Sequence, residues 1–539
     1  MAKGNPSGTK TRMVHRTCVR FAAFAAVLAL AGCPEPADLS PQPGGTGEHL
    51  LRFVQITDVH ITDEESPARA VRADGLIPTA WRPQEAYGTQ TLDATLRVLN
   101  ACHAGGAFPV DFVIVTGDLT DNAQFNELRW FLDVMDGQAV LPDSGEAEGP
   151  FRDVAPEDNP NLEFEAAGLA PDIPWYTAFG NHDGLAIGTF AICREADDAT
   201  AWLSPQFRLV AAAIGLHRLE PPLNAFLPTY DQSPAAILAD AEHIDPVTLQ
   251  LVIRELPAGP VPPDPARHYL SRASFIAEHF DTATTPAGHG FDEDNLASGD
   301  AWYSCRPKAD VPVRLIVLDT AAPNPPCGFS VEYGVMTRRQ FEGFLKPEVE
   351  AAQAAGEFVV IASHHPSAEF RKPYPGRTVT TLEFRTYLAC QPNVIAHICG
   401  HEHRHRVTQI PGRYPYIEIE TASLIEYPQE IRVLDVFYDE SDGSIRLESA
   451  MLCHTADPTV LSAESFRRAT VDLEYQKSAK DAGVTLAHLI PPVAERSGEA
   501  RELPEFDGLE PLPSKEERYG GPSDRAFSFV FKRGLSPRN

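Results

Sequence analysis

Short apolar runs rich in β-branched residues punctuate this chain at residues 51–57, 112–116, 173–179, 358–363 and 394–399. Their length and composition predict buried strands. Apolar residues at helical spacing over 89–104, 122–136, 337–355 and 381–390 predict helices between them. Four more strand-like runs follow at 406–410, 414–420, 431–438 and 444–452, then a helix over 463–480. The last apolar stretch, 526–531, fits an edge strand. This alternation predicts an α/β fold, an αββα sandwich in which two mixed sheets pack together with helices outside. No internal repeat is visible.

Three long insertions interrupt the pattern, at 62–88, 137–172 and 184–299. Each follows a predicted strand whose end carries polar residues, so each is expected to rise over the strand ends. The Pro-, Gly- and acid-rich 137–172 reads as surface loop. The longest, 184–299, is expected to form a cap that shapes a substrate pocket, with Arg194, Trp202 and His268 as candidates to meet the substrate.

All five of the first runs end on residues that carry chemistry. Asp58-Val59-His60 follows the first, Gly117-Asp118 the second and Gly180-Asn181-His182-Asp183 the third. His364-His365-Pro366 and Gly400-His401-Glu402-His403 follow the fourth and fifth. An open α/β sheet places its site at such strand ends. Mixed carboxylate oxygen and imidazole nitrogen suit divalent cations such as Mn²⁺, Zn²⁺ or Fe²⁺. Two such ions about 3.5–4 Å apart can clamp a phosphoryl group and lower the pKa of a water. Any one motif has a bland reading: Gly-Asp is a common turn signal, for example. Five in one order leave chance a poor explanation.

The order and residue types resemble the calcineurin-like metallophosphoesterase superfamily, from about Asp58 to His403. The resemblance implies a dinuclear centre of two divalent ions (Mn, Fe or Zn). Asp58, His60 and His403 would bind the first, Asp118 would bridge, and Asn181, His364 and His401 would complete the second. A hydroxide between the ions would attack phosphorus in line with the leaving oxygen. His182 would protonate that oxygen or steady the phosphoryl group, and Asp183 would orient His182. The doublet aligns His364 with the ligand. His365 then either faces substrate or is a buried histidine bonded to backbone. His397, inside its strand, is expected to be structural, and His405 to line the rim.

Within the superfamily, purple acid phosphatases carry Tyr three residues after the bridging Asp to hold ferric iron; here Asp121 stands there. The first motif is Asp-x-His rather than Asp-x-Gly. The chain therefore looks closer to the phosphodiesterase-like branch, acting on a small phosphodiester. A phosphomonoesterase of the same fold is the alternative, and a surface lipoprotein with a non-catalytic metal site is the rival of another class.

The N-terminus bears on location. Lys3, Lys10, Arg12, Arg16 and Arg20 precede an apolar run, 21–31, too short to span a bilayer, which needs about 20 residues. The run fits the core of a secretory signal. It ends in Leu30-Ala31-Gly32-Cys33, which looks like a bacterial lipoprotein cleavage box with Cys33 as the lipidated residue. The expected plan is thus signal 1–33, flexible tether 34–49, metallophosphoesterase domain 50–455 and a C-terminal helix and tail, 456–539. The enzyme would be exported and held by lipid on a bacterial membrane, facing periplasm or exterior. Composition fits an exported soluble enzyme: 539 residues, 43% hydrophobic, with 75 acidic against 45 basic residues for a net charge of −30. Such a surface repels nucleic-acid backbone and argues against the DNA-repair nucleases that share these motifs. Seven of nine cysteines follow Cys33, an odd number, and Cys305 with Cys327, flanking the run 313–319, is the expected disulfide.

Overall fold

Each predicted strand finds a partner in one of two six-stranded sheets. The strands are β1 (Glu48–Ile56), β2 (Phe112–Val115), β3 (Trp175–Thr177), β4 (Tyr303–Cys305), β5 (Val313–Val317), β6 (Phe358–Ala362), β7 (Val394–Cys399), β8 (Arg406–Ile410), β9 (Tyr416–Glu420), β10 (Glu430–Asp439), β11 (Ser444–Cys453) and β12 (Phe527–Lys532). The computed structural model describes residues 47–66, 82–105, 108–144, 154–186, 188–193, 202–203, 264–321, 332–371, 376–481 and 518–533. Cys33, tether residues 34–46, Arg194 and Cys327 lie outside the described residues, as does most of 184–263; the last tether residues, Glu48 and His49, belong to β1 instead.

The first sheet runs β12-β11-β10-β1-β2-β3 and the second β8-β9-β7-β6-β5-β4. In the first, β1, β2 and β3 are parallel while β10, β11 and β12 add antiparallel. In the second, β5, β6, β7 and β9 are parallel, with β4 and β8 antiparallel at the edges. Both sheets are mixed, as expected.

The longer helices are α1 (Gly88–Ala104), α2 (Phe125–Asp136), α3 (Lys346–Ala354), α4 (Thr381–Leu388) and α5 (Val460–Asp481). Strand alternation shows the layering. On β6, Phe358, Val360 and Ala362 join the core between the sheets. Val359 and Ile361 point the other way, to Leu345, Val349, Phe384 and Leu388 of the covering helices. Burying such a side chain contributes about 1.5–3 kcal/mol on either face, which is why these runs are almost continuously apolar. Phe358 meets Tyr438 of the other sheet, ring centroids 5.8 Å apart. The helix expected over 337–355 forms as one helical run over 338–354, in which Phe341–Leu345 make a π-helical turn. Pro347, with no N–H for the ladder, follows that turn.

The part of the expected cap that is described packs into the body. Thr285 O accepts from Trp175 N at 2.9 Å, covering the edge of β3. Phe275 lies edge-on to Phe179 at 4.9 Å, and Arg267 is buried against Asp63. His268 is turned onto Phe125, stacked at 4.8 Å. No helix among the described residues is long and apolar enough to cross a membrane.

One buried polar network ties the second sheet together. His397 Nδ1 lies 2.9 Å from Glu418 Oε2 and its Nε2 2.7 Å from Ser363 Oγ. Arg385 of α4 donates to Glu418 Oε1 at 2.8 Å. Burial works against the Glu418 charge, but His397, Arg385 and Ser367 outweigh it and hold its carboxyl down at about 2. A carboxyl depressed in the folded state stabilises the fold above its unfolded value, near 4.5, and that stability is lost as pH falls toward 2. Glu418→Gln should therefore lower stability at pH 7 by on the order of 3 kcal/mol and flatten the acid limb of a urea-melt series between pH 4.5 and 2.5. An unchanged acid limb would remove Glu418 from the account.

Candidate metal centre

Three of the five motif turns leave their strands in a conformation that side chains avoid. Asp58, His60, Asp118, His401 and His403 all have left-handed backbone, with φ of 52°, 46°, 53°, 71° and 50°. Each costs about 1–2 kcal/mol for a residue with a Cβ. The turns are held by each other: Asp58 N donates to Gly117 O, His60 N to Asp118 O and Gly400 N to His364 O, at 3.1, 3.0 and 2.9 Å. Gly400 has no alternative, because a Cβ there would stand 2.0 Å from Thr57 Oγ1 and 2.2 Å from Asp58 Oδ2. Strain of this kind gathers where a site needs an exact aim.

One group forms around Asp58. Its Oδ2 accepts from Thr57 Oγ1 at 2.7 Å and from His401 N at 3.0 Å, which turns Oδ1 inward. Oδ1 lies 3.3 Å from His403 Nε2 and 3.8 Å from His60 Nε2. The two Nε2 atoms are themselves 3.1 Å apart. His60 Nδ1 donates to Asp121 Oδ1 at 2.9 Å, and His403 Nδ1 faces Glu426 Oε2 at 3.1 Å. With both Nδ1 protons committed, the two rings point lone pairs at one another. Only a cation or a proton between them relieves that.

The second group meets the first at Asp118. Asp118 Oδ1 accepts from His182 N at 2.8 Å. Oδ2 lies 3.1 Å from His364 Nε2 and 3.7 Å from His60 Nε2, so one oxygen stands between the groups. His364 Nδ1 donates to Thr116 O at 2.9 Å, while its buried Nε2 makes no hydrogen bond. Asn181 gives its amide nitrogen to Gly188 O at 2.8 Å, and its Oδ1 faces His401 Nδ1 at 3.2 Å. Asp58, His60 and His403 form one group able to hold a cation, and Asp58, Asp118 and His364 another.

Charge follows this geometry. Burial would raise Asp58 and Asp118, but the facing imidazoles keep both carboxyls well below the usual range. Burial opposes charge on His364 and His403 too. Asp118 nevertheless lifts His364 to about 9, and Glu426 with Asp58 lifts His403 to about 9. Burial and the neighbouring His364 press His401 to about 3, leaving a neutral ring. An unpartnered buried Nε2, two opposed Nε2 atoms and inward carboxylate oxygens fit two divalent cations.

His182 sits beside this cluster, edge-on to His60 at 4.4 Å. Its orienting partner differs from expectation. Asp183 does not touch the ring: its carboxylate accepts N–H groups from Asp118, Leu119, Thr120 and Gly180 at 2.8–3.1 Å. A side chain adjacent in sequence points away, and Asp183 braces the turns instead. His182 Nδ1 donates to Asp121 O at 2.7 Å, with Asp121 Oδ1 3.4 Å away. His365, though next to His364, has Nδ1 on Thr320 Oγ1 at 2.9 Å and Nε2 on Glu332 O at 3.1 Å. Both nitrogens are used, which favours the buried structural reading. His397 is the structural group described above. His405 does not line a rim: it is buried, with Ala422 N donating to Nδ1 at 3.1 Å and Glu430 facing Nε2 at 3.2 Å.

Three groups behind the ligand candidates were not singled out from sequence as partners: Asp121, Glu426 and Arg82. Asp121 had a signal, its spacing from Asp118. Glu426 follows β9 in an apolar stretch and Arg82 ends an insertion, so neither carried one.

The chain matches the calcineurin-like phosphoesterase family over residues 51–259. No curated protein matches it. Among solved structures, a dimetal phosphatase from Danio rerio is similar at 12% identity and a TM-score of 0.37, over 76% of this chain and 97% of that one. The family match falls on the strands that end in Asp58, Asp118 and Asn181, and the sheets bring the remaining imidazoles to the same place; over residues 51–259 the chain is similar to the calcineurin-like phosphoesterases.

Proposed function

We propose that the protein hydrolyses a small phosphodiester at a dinuclear centre. Asp58, His60 and His403 would hold one divalent cation and Asn181, His364 and His401 the other, with Asp118 between them. The observation that supports this reading is Asp118 Oδ2, placed 3.1 Å from His364 Nε2 and 3.7 Å from His60 Nε2, between the two groups. Cations there would supply Lewis-acid stabilisation of the phosphoryl charge and a hydroxide nucleophile near neutral pH. The rest falls to the chain. Asp121 O holds His182 Nδ1–H, and Asp118 and Asp121 favour the charged ring against burial, so it is the imidazolium that would give its Nε2 proton to the leaving oxygen. Asp183 keeps the Asp118 and Asn181 turns together. The diester preference rests on the Asp-x-His motif and on Asp121 standing where a ferric enzyme needs Tyr.

Hydrolysis of bis(p-nitrophenyl) phosphate against p-nitrophenyl phosphate, with and without Mn²⁺, tests the substrate. Faster diester cleavage supports the reading, faster monoester cleavage makes the enzyme a phosphatase, and no Mn²⁺-dependent turnover of either favours the non-catalytic lipoprotein. Asp118→Asn should abolish activity and reduce bound metal by elemental analysis. Two retained ions with near-normal turnover would sink the assignment. His182→Ala should keep its metal while kcat falls by roughly 10²–10⁴. The deficit should shrink as the leaving group improves; normal rates with poor leaving groups would leave His182 without a part.

We also propose the lipid anchor at Cys33, on the basic and apolar segment before it. Wild-type protein should fractionate with membranes, since each buried CH₂ contributes about 0.8 kcal/mol and two or more chains hold firmly. Cys33→Ala should leave a larger, unprocessed precursor. A free periplasmic wild-type species without lipid would end the proposal.

A further inference from the structure

Arg82 lies within the first insertion, 22 residues after His60, and is fully buried. Its Nε donates to Glu426 Oε1 at 2.7 Å and its Nη1 to Asp121 Oδ1 at 3.1 Å. These are the carboxylates behind the metal-facing imidazoles. Glu426 Oε2 faces His403 Nδ1, while Asp121 bonds His60 Nδ1 through Oδ1 and His182 Nδ1 through its carbonyl. One guanidinium therefore spans the two supports of three histidines. Its planar fork matches two acceptors in fixed directions, which a lysine ammonium does not.

The base of Arg82 is fixed as well. Its backbone N–H donates to Glu85 Oε2 at 3.0 Å. Arg468 of α5 donates to Pro83 O at 3.2 Å and lies over the Tyr87 ring at 4.9 Å. Arg518, from beyond α5, meets Glu426 from the other side. The insertion and the C-terminal segment thus both reach the Glu426 carboxylate.

We propose that Arg82 is a positioning residue for the metal centre, fixing Asp121 and Glu426 and through them the rings of His60, His403 and His182. This rests on the assignment of His60 and His403 as metal ligands. Without the fork, each ring can turn about its Cβ–Cγ bond, and ligand nitrogens lose their common aim. Removing a group behind a ligand typically lowers metal affinity by roughly 10–100-fold.

The test uses the folded full chain, stripped of metal and titrated with Mn²⁺ by calorimetry, as wild type, Arg82→Lys, Arg82→Ala and Asp118→Asn. Arg82→Lys should keep the wild-type circular dichroism while binding its weaker Mn²⁺ roughly 10–100-fold less tightly. At saturating Mn²⁺ its kcat on bis(p-nitrophenyl) phosphate should fall more than its KM changes. In Arg82→Ala, free guanidinium but not urea should restore Mn²⁺ binding. Should Arg82→Ala fail to fold, Arg82→Lys decides. Wild-type Mn²⁺ affinity and kcat in Arg82→Lys would overturn the proposal, as would an Arg82→Ala protein that folds and binds weakly with no guanidinium rescue. Asp118→Asn separates the two levels: if it keeps both metals, the metal-centre reading itself falls; if it loses them while Arg82→Lys binds as wild type, only the role of Arg82 falls.

Discussion

A buried imidazole can serve a metal only if the right nitrogen faces inward, and here that choice is made by what stands behind each ring. Asp121 and Thr116 O accept the Nδ1–H groups of His60 and His364, and Glu426 faces Nδ1 of His403. The three Nε2 atoms are thereby turned into one volume with Asp58 Oδ1 and Asp118 Oδ2. Fixing the far nitrogen sets both the tautomer and the ring plane. Every other property of the centre follows from those contacts: the opposed lone pairs, the depressed carboxyls and the unpartnered His364 Nε2.

Such an arrangement is unfavourable in isolation. Five residues hold left-handed backbone and several buried charges lie within a few ångströms of each other. The sheets absorb this. Parallel strands bring five turns together, and Gln55 of β1 locks them: it donates to Thr116 Oγ1 of its own sheet at 3.0 Å and, across to the other sheet, to Cys399 O at 2.9 Å, and accepts from Thr421 Oγ1 at 2.8 Å. Asp183 gathers four N–H groups from two turns. A rigid, doubly covered sandwich can carry the strain because its apolar faces supply the compensating stabilisation.

The segments outside the two sheets are joined to this plan more closely than decoration would need. Arg82 comes from the first insertion, while the C-terminal segment adds β12 to the first sheet and brings Arg518 to Glu426. The stretch 264–299 seals the edge of β3. Charge compensation explains the arginines: buried carboxylates that aim histidines need cations of their own.

The amino-acid sequence by itself determined the strands, the helices and the polar residues that end five of the strands. Those are local properties: β-branched runs, helical spacing and turn residues act over a few positions. It also drew attention to Asp58, His60, Asp118, Asn181, His364, His401 and His403 because each terminates such a run. Partnership was decided only by the tertiary structure. Asp183 is adjacent to His182 yet turns to backbone N–H groups, whereas Asp121, 61 residues away, holds the ring. His405 sits two residues from His403 and is buried against Ala422 and Glu430. Arg82 and Glu426 are 344 residues apart. No spacing rule connects them, because the distance between two side chains in different loops is set by how the sheets stack and not by any pattern along the chain.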